Sequence, residues 1–368
     1  MEPLPFNEFV MRMVVAGGGT GGHLFPGVAV AEACVERTGG EVLFIGSTHG
    51  LEARVLPQKG FPFVGLAVKA ARGRGWRGWV EFAGQMPLAV LRAWRLLAQF
   101  SPDVVVGLGS YGSVPVIVAA WGQRIPIVLL EQNARPGLAN RLLGRLATKV
   151  CTAFEEAGRF FPSGKSVHTG NPVRRLRASV VAANRGPQGF HVLAFGGSQG
   201  ARSLNRAMVE AVRILHGRIP SLVVTHQTGA ADEQWVTQEY NGLGVAATVS
   251  DFIEDMATAY ARADLVVCRA GATTLAELAT VGKPSILIPY PFAADDHQRA
   301  NAEIWVRQGA AEMILDRELS GEVLAAKIFA LVTDPERLQS LSRNAAKLAR
   351  PEAAEHVVRI CEQVRGRR

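Results

Sequence analysis

Cysteine is scarce in this sequence and never paired. Cys34, Cys151, Cys268 and Cys361 are the whole complement, and no CxxC occurs. Disulfide frameworks and zinc ribbons need closely spaced cysteines, so buried free thiols in a reducing compartment are the expectation. The opening "MEPLPFNEFVMRM" carries acids and lacks the apolar core of a secretory signal. No G-x-x-x-x-G-K-[ST] is present, which excludes a P-loop nucleotidase. Long charge-free runs are nearly absent too. The one that could span a bilayer by length is "VVVGLGSYGSVPVIVAAWGQ" (Val104 to Gln123), and Gly107, Gly109, Gly112 and Pro115 cut it into strand, loop and helix start. Acids are outnumbered, 32 against 40 lysines and arginines, and the net charge of +8 favours an anionic partner: nucleotide, nucleic acid or acidic membrane.

What is present in quantity is glycine, 39 residues in a chain of 368, together with short β-branched runs separated by helical stretches. The first half gives "MRMVVAG", "EVLFIGS", "FVGLAV", "DVVVGLG", "IPIVLLEQN" and "KVCTAF", with helices expected at 25–37, 78–100 and 138–146. The second half restarts with "HVLAFGG", "SLVVTHQTG", "VAATVSDF", "DLVVCRAG", "PSILIPY" and "AAEMILD". Apolar strands alternating with helices indicate parallel sheets covered on both faces. "VVAGGGTGGH" and "VLAFGGSQGAR" are alike, each a strand running into a glycine loop and a helix. The expected fold is therefore α/β, two Rossmann-like domains with a ligand cleft between them. The Gly-, Pro- and Arg-rich stretch at 173–189 is the linker, between a first domain at 10–172 and a second at 190–348.

Gly17, Gly19 and Gly22 match the G-x-G-x-x-G of a dinucleotide site. Such a site also needs an acid about 20 residues on to hold a ribose. The second strand, "EVLFIGSTHG", ends in Gly46, Ser47 and Thr48 with no carboxylate at its tip, so NAD is excluded. Phosphate at a helix N-terminus remains a good reading of both loops; a purely structural turn is the alternative. His23 ends the first loop, placed to act as a base beside bound phosphate or simply to cap and pack.

The densest polar cluster is "DLVVCRAGATTLAELATVGKPSILIPYPFAADDHQRANA". "AGATT" offers backbone N–H groups at a helix start, ready for a diphosphate. Glu277, in the following turns, can accept both hydroxyls of a ribose. Gln298 and Asn301 share a helix face and suit sugar hydroxyls. Asp295 or Asp296 can cap that helix.

"GGGTGGHLFPGVAVAE", "GLGSYGSVP", "EQNARPGLANR", "GNPVR", "FGGSQGARSLN" and "RAGATTLAEL…GKPSILIPYP…DHQRANA" stand in the order found in the bacterial peptidoglycan N-acetylglucosaminyltransferases of glycosyltransferase family 28, which this chain resembles from about Met13 to Asn301. The resemblance implies a glycosyltransferase B fold, with 349–368 a helix packed back on the first domain. It implies inverting transfer of N-acetylglucosamine from UDP-N-acetylglucosamine to the muramoyl 4-hydroxyl of undecaprenyl-diphospho-muramoylpentapeptide (lipid I), giving lipid II, without metal or other cofactor. Carried over by motif, Ser198 and Arg174 would contact the donor diphosphate and Ile253 the uracil. Ala272, Thr273 and Thr274 would meet the phosphates, with Leu275 and Ala276 completing that turn. Glu277 would hold the ribose, and Gln298 and Asn301 the N-acetylglucosamine. Thr20, Gly21, Gly22 and Asn133 would reach the donor from the first domain. Gly18, Gly19, Gly109, Ser110 and Tyr111 would cradle the acceptor diphosphate. The base would be His23, with Glu131 second. Family members often carry two glutamines where this chain has His297 and Gln298, so the resemblance gives His297 no role.

"KAARGRGWRGWVEFAGQMPLAVLRAWRLL" sets six cations against Glu81 alone. Lys69, Arg72, Arg74 and Arg77 among Trp76, Trp79 and Phe82 suit an anionic membrane surface; RNA binding or a solvated helix with one core face are the alternatives. With a lipid-linked acceptor, the implied location is peripheral, on the cytoplasmic face of the bacterial plasma membrane, with cell-wall synthesis or division proteins as partners and no nucleic acid. Two rivals stand beside this reading: a glycosyltransferase using another nucleotide sugar or acceptor, and a basic nucleotide- or RNA-binding protein.

Overall fold

The computed structural model describes residues 10–18, 21–48, 52–66, 75–174, 189–197, 199–219 and 221–365, with backbone alone at 54 and 75–83. The chain divides into two units, Met1–Arg174 with Arg350–Arg368, and Arg175–Ala349.

The first unit is built on strands β1 (Arg12–Ala16), β2 (Glu41–Ser47), β3 (Phe63–Leu66), β4 (Val104–Gly107), β5 (Ile127–Glu131), β6 (Lys149–Thr152) and β7 (Ser166–His168). Among the described residues they form one sheet in the order β3-β2-β1-β4-β5-β6-β7, with every ladder parallel. β4 and β5, "VVVG" and "IVLLE", are buried at every position, as central strands covered on both faces must be. β1 shows the two faces directly. Met13 and Val15 enter one core cluster, Val14 and Ala16 the other, because successive strand side chains point to opposite sides. The helices are α1 (Gly21–Thr38), α2 (Glu52–Gln58), α3 (Gly75–Phe100), α4 (Val114–Gly122) and α5 (Leu138–Leu143). The charge-free run from Val104 is thus strand, loop and helix, and no described helix is long and apolar enough to cross a membrane. α1 begins earlier than its apolar pattern suggests, which puts His23 in its first turn. α5 stops short of the expected Leu146, at Gly144, where the Phe161 ring leaves no room for a side chain.

The second unit repeats the plan with β8 (Phe190–Phe195), β9 (Leu222–Gln227), β10 (Ala246–Ser250), β11 (Leu265–Cys268), β12 (Ser285–Leu287) and β13 (Glu312–Met313), in the order β10-β9-β8-β11-β12-β13. Its helices are α6 (Arg202–Leu215), α7 (Glu233–Leu243), α8 (Met256–Arg262), α9 (Ala272–Val281), α10 (His297–Arg307), α11 (Gly321–Val332) and α12 (Pro335–Lys347). In both units the chain winds outward to one side of its first strand and then crosses to the other. The switch falls between β1 and β4 in the first unit and between β8 and β11 in the second. Open α/β sheets bind ligands at the carboxyl ends of strands flanking that switch.

α13 (Ala353–Arg365) returns to the first unit. Val357, Val358, Cys361 and Val364 join the core that α1 covers. Arg37 Nε lies 3.0 Å from Glu362, and Arg365 Nε 3.3 Å from Asp103. All four cysteines are free and buried, and Cys34, Cys151 and Cys361 share this one core. Burial raises their thiols, Cys151 to about 12, so they stay protonated and unreactive in the folded state.

Candidate functional site

In the first unit the carboxyl ends of β1, β4 and β5 gather the predicted residues. Gly18 N–H donates to Ser110 Oγ at 3.1 Å, joining the first glycine loop to the turn after β4. Gly18 has φ +141°, and a Cβ there would overlap the Glu52 carboxylate, so a side chain at this position is strained. Glu52 amends the reading of β2. The strand tip has no acid, but Glu52, from the first turn of α2, is fully buried against the loop. Its Oε1 lies 3.0 Å from where a Cβ on Gly46 would stand. A buried acid thus packs beside Gly18 and Gly46.

Gln132 follows β5 and is 2% exposed. Its amide nitrogen donates to the Leu108 carbonyl at 3.3 Å, which leaves Oε1 to face His23 Nδ1 at 3.1 Å. An amide oxygen only accepts, so Nδ1 carries a proton, and in the neutral ring Nε2 then carries the lone pair. His23 is half-buried in the first turn of α1. Glu131, one residue before Gln132, is deeply buried. Its Oε1 accepts from Asn133 N at 2.8 Å and its Oε2 from Asn140 Nδ2 at 2.9 Å. Burial pushes its carboxyl up to about 7, against the pull of these donors. The same Asn140 amide fills the space beside Gly109. Tyr111 opens the 3-10 turn before α4. Arg174 sets its guanidinium 5.7 Å from the Phe25 ring centre on α1.

In the second unit the glycine loop after β8 is clamped. Gln227 Nε2 donates to Gly197 O at 2.8 Å and Asp251 O at 3.2 Å, tying this loop to the segment that carries Ile253. Gly200, at φ +73°, packs on the Thr228 carbonyl so closely that any side chain would overlap it. Thr228 is held in turn by Asn205 Nδ2 at 2.9 Å. His226 bonds Asn205 and Tyr240, and burial lowers its pKa to about 3, so the imidazole is neutral although Asn205 also donates to the Asp232 carboxylate. Gly271 precedes α9, whose first turn is Ala272, Thr273 and Thr274. The N–H groups of such a turn attract phosphate. Leu275 is 1% exposed, so its side chain belongs to the core, and Ala276 follows. Glu277 is 7% exposed and accepts a hydrogen bond from the Tyr260 hydroxyl at 3.0 Å. Gln298 Oε1 accepts from Tyr290 N at 3.0 Å. Asn301 is fully buried, its Nδ2 3.3 Å from Ala270 O. Asp296 makes no side-chain cap for α10, against the capping expectation; instead Asp295 and Asp296 both take left-handed backbone angles, φ +52° and +54°. His297 Nδ1 donates to Ala294 O at 2.6 Å. Among the described residues, no three His, Cys, Asp or Glu side chains come together as a metal-ligand set.

Arg269 directly follows β11 and opens the "RAGATT" motif, which by itself gives it no role. It is 8% exposed, ion-paired to Asp316 at 2.6 Å, and bonded to Ser203 Oγ and to the Ile288 and Pro289 carbonyls. It joins the first turn of α6, the segment after β12 and the 3-10 turn that holds Asp316.

Gly19, Thr20, Lys69, Arg72, Arg74 and Ser198 lie outside the described residues, and for Trp76, Arg77, Trp79 and Phe82 only the α3 backbone is described. Farther along α3, Ala89, Ala93 and Leu97 face the core, whereas Leu88, Leu91 and Trp94 are exposed by 73%, 48% and 41%, as is Trp121 of α4 by 57%. The outer face of the helix therefore presents apolar side chains beside the exposed Arg92 and Arg95.

Two doubly wound units, each with a glycine loop and a helix start at its switch point, are the make-up of a nucleotide-sugar glycosyltransferase of the B fold. The chain belongs to glycosyltransferase family 28: residues 13–152 match the family's N-terminal domain and 191–357 its C-terminal domain. It is 47% identical over 363 residues, 97% of this chain and 94% of the other, to a protein of Anaeromyxobacter sp. (strain K) named UDP-N-acetylglucosamine--N-acetylmuramyl-(pentapeptide) pyrophosphoryl-undecaprenol N-acetylglucosamine transferase. It is 48% identical over 354 residues, 96% and 92% of the two chains, to the protein of the same name in Myxococcus xanthus. Among solved structures, MurG of Acinetobacter baumannii superposes with a TM-score of 0.76 at 31% identity, over 96% of this chain and 99% of that one.

Proposed function

We propose that the protein transfers N-acetylglucosamine from UDP-N-acetylglucosamine to the 4-hydroxyl of the muramoyl sugar in undecaprenyl-diphospho-muramoylpentapeptide. The observation that carries the reading is the near-half identity to transferases of that name over almost the whole chain. The second unit takes the donor. Ile253 meets the uracil, Glu277 the ribose, and the α9 N-terminus with Ser198 and Arg174 the diphosphate. Gln298, with Asn133 and the first loop, addresses the sugar, while Asn301, fully buried and bonded to the Ala270 carbonyl, steadies the segment before α9 instead. The first unit takes the acceptor, its diphosphate against Gly18, Gly19, Gly109, Ser110 and Tyr111. His23 Nε2 removes the 4-hydroxyl proton as the oxygen attacks the anomeric carbon. The bond from that carbon to the diphosphate oxygen breaks, its electron pair leaves with UDP, and the configuration inverts. Helix N–H groups and cations hold the charge that develops on UDP. Glu131, buried and surrounded by donors, orders Asn133 and Asn140 rather than reaching the hydroxyl.

The cationic, aromatic start of α3 and the exposed Leu88, Leu91, Trp94 and Trp121 rest on the cytoplasmic face of an anionic membrane, where the lipid-linked acceptor lies. The test is UDP release by the purified protein. Release is expected only with UDP-N-acetylglucosamine and a lipid I analogue together. Equal release with other UDP-sugars or without the acceptor refutes the reading. Glu277→Ala should weaken UDP binding by about 1.5–3 kcal/mol, the worth of a charge-assisted hydrogen bond; unchanged affinity in calorimetry would remove Glu277 from the ribose.

A further inference from the structure

The seven-residue helix α8 lies between the loop of Ile253 and the strand β11, and Tyr260 is its fully buried aromatic side chain. The ring is fully buried and meets Phe195, the last residue of β8, edge-on at 6.1 Å between centres. The hydroxyl reaches α9 and donates to Glu277 Oε2 at 3.0 Å. A carboxylate without a fixed partner turns about its last bond, and a buried carboxylate has few partners to choose from. Here one oxygen is held by a phenol whose ring is fully buried and packed on Phe195. Asp255 caps α8 through Thr258 N at 3.0 Å, so the helix bearing the phenol is itself anchored to the uracil loop.

We propose that Tyr260 is a positioning residue for Glu277, fixing the carboxylate plane so that it engages both hydroxyls of the donor ribose, and that the pair sets the preference for ribonucleotides over deoxyribonucleotides. The inference rests on the reading that Glu277 holds the ribose. It adds a residue that never touches the ligand and a selectivity that the ribose contact alone does not fix. A swivelling carboxylate still binds one hydroxyl; an oriented one binds two, and losing either then costs more.

The experiment is a calorimetric comparison of UDP with 2′-deoxy-UDP and 3′-deoxy-UDP on the native protein, Tyr260→Phe and Glu277→Gln, with thermal melting of each variant. The native protein should prefer UDP over either deoxy form on the order of 10- to 100-fold, the range of one hydrogen bond to a charged group. Tyr260→Phe keeps the ring and its packing. It should bind 2′-deoxy-UDP and 3′-deoxy-UDP almost as the native protein does, while the preference for UDP shrinks several-fold. Glu277→Gln should shrink it further. If Glu277→Gln loses the preference and Tyr260→Phe retains it, Tyr260 is only a core residue and the inference is overturned while the ribose reading stands. If Glu277→Gln retains the native preference, the ribose reading itself fails and takes the inference with it. A uniform loss for all three ligands in Tyr260→Phe, with a lowered melting temperature, also overturns it, since that is the mark of a packing role.

Discussion

Replacing Gln132 tests the proposed base without touching it. Gln132 is locked by the Leu108 carbonyl, and that lock forces its oxygen toward His23 Nδ1. The imidazole thereby holds its proton on the side away from the reaction and presents Nε2. His23→Ala removes the base and should lower turnover by about 10²–10⁴-fold. His23→Gln should not restore it, since an amide accepts no proton at neutral pH. Gln132→Met keeps the volume but offers no acceptor. The orienting hydrogen bond is worth about 0.5–1.5 kcal/mol, so turnover should fall by about 2- to 13-fold, with UDP-N-acetylglucosamine binding unchanged. Gln132→Glu goes the other way in one respect. A carboxylate beside Nδ1 favours the imidazolium, so the acidic limb of the kcat–pH profile should move to higher pH. The assay is steady-state UDP release with a lipid I analogue across pH, alongside donor titration. Near-normal turnover in His23→Ala refutes the base. An unmoved acidic limb in Gln132→Glu refutes the path through Gln132. Lost donor binding in His23→Ala would assign the first loop to the nucleotide sugar instead.

Glu131 makes stability depend on pH: its carboxyl titrates near 7 against an ordinary 4.5. A raised folded value gives stability that is present below the ordinary value and lost as pH rises through the folded one. Relative to Glu131→Gln, the unfolding free energy should therefore fall by up to about 3 kcal/mol between about pH 4 and about pH 8, and a pH-independent difference in denaturant midpoints would contradict this. Gly18→Ala meets both a positive φ and the Glu52 carboxylate, so it should cost about 1–3 kcal/mol and raise KM for the acceptor more than for the donor; a melting temperature equal to the native one would rule out the packing described. Charge reversal of Arg72, Arg74 and Arg77 should weaken binding to phosphatidylserine vesicles by about 1 kcal/mol per charge removed and leave UDP affinity alone; unaffected vesicle flotation would make the segment an ordinary solvated surface.

The sheets were legible because their strands announce themselves. "VVVG" and "IVLL" are unbroken apolar runs, and strands covered on both faces read that way. β7 escaped notice since "SVH" spans three residues with one apolar side chain, and it becomes a strand only through the backbone of β6. The loops that carry glycine and polar residues were equally plain, for their spacing is local. What sequence could not supply were the contacts made across it. Glu52 reaches Gly18 from beyond the strand whose tip lacks an acid. Gln227 spans from Gly197 to Asp251, and Arg269 gathers Ser203, Ile288 and Asp316. Each is a single polar residue whose partners lie on other elements, and no periodicity marks it. Tyr260 would pass in any helical pattern as an ordinary core aromatic.

The helix α13 belongs to the first unit but is translated after the whole of the second. The sheet of the first unit leaves the ribosome early, with the apolar faces of α1 and β1 lacking the residues that finally cover them, Val357, Val358, Cys361 and Val364. The second unit, one unbroken stretch of chain, has all it needs to fold meanwhile. The unit begun first is thus completed last. Until then it exposes an apolar strip for the time needed to synthesise some two hundred residues, at roughly 5–20 residues per second. Such a strip is a ready substrate for chaperones, and its closure by α13 is the step at which the nascent chain ceases to be one.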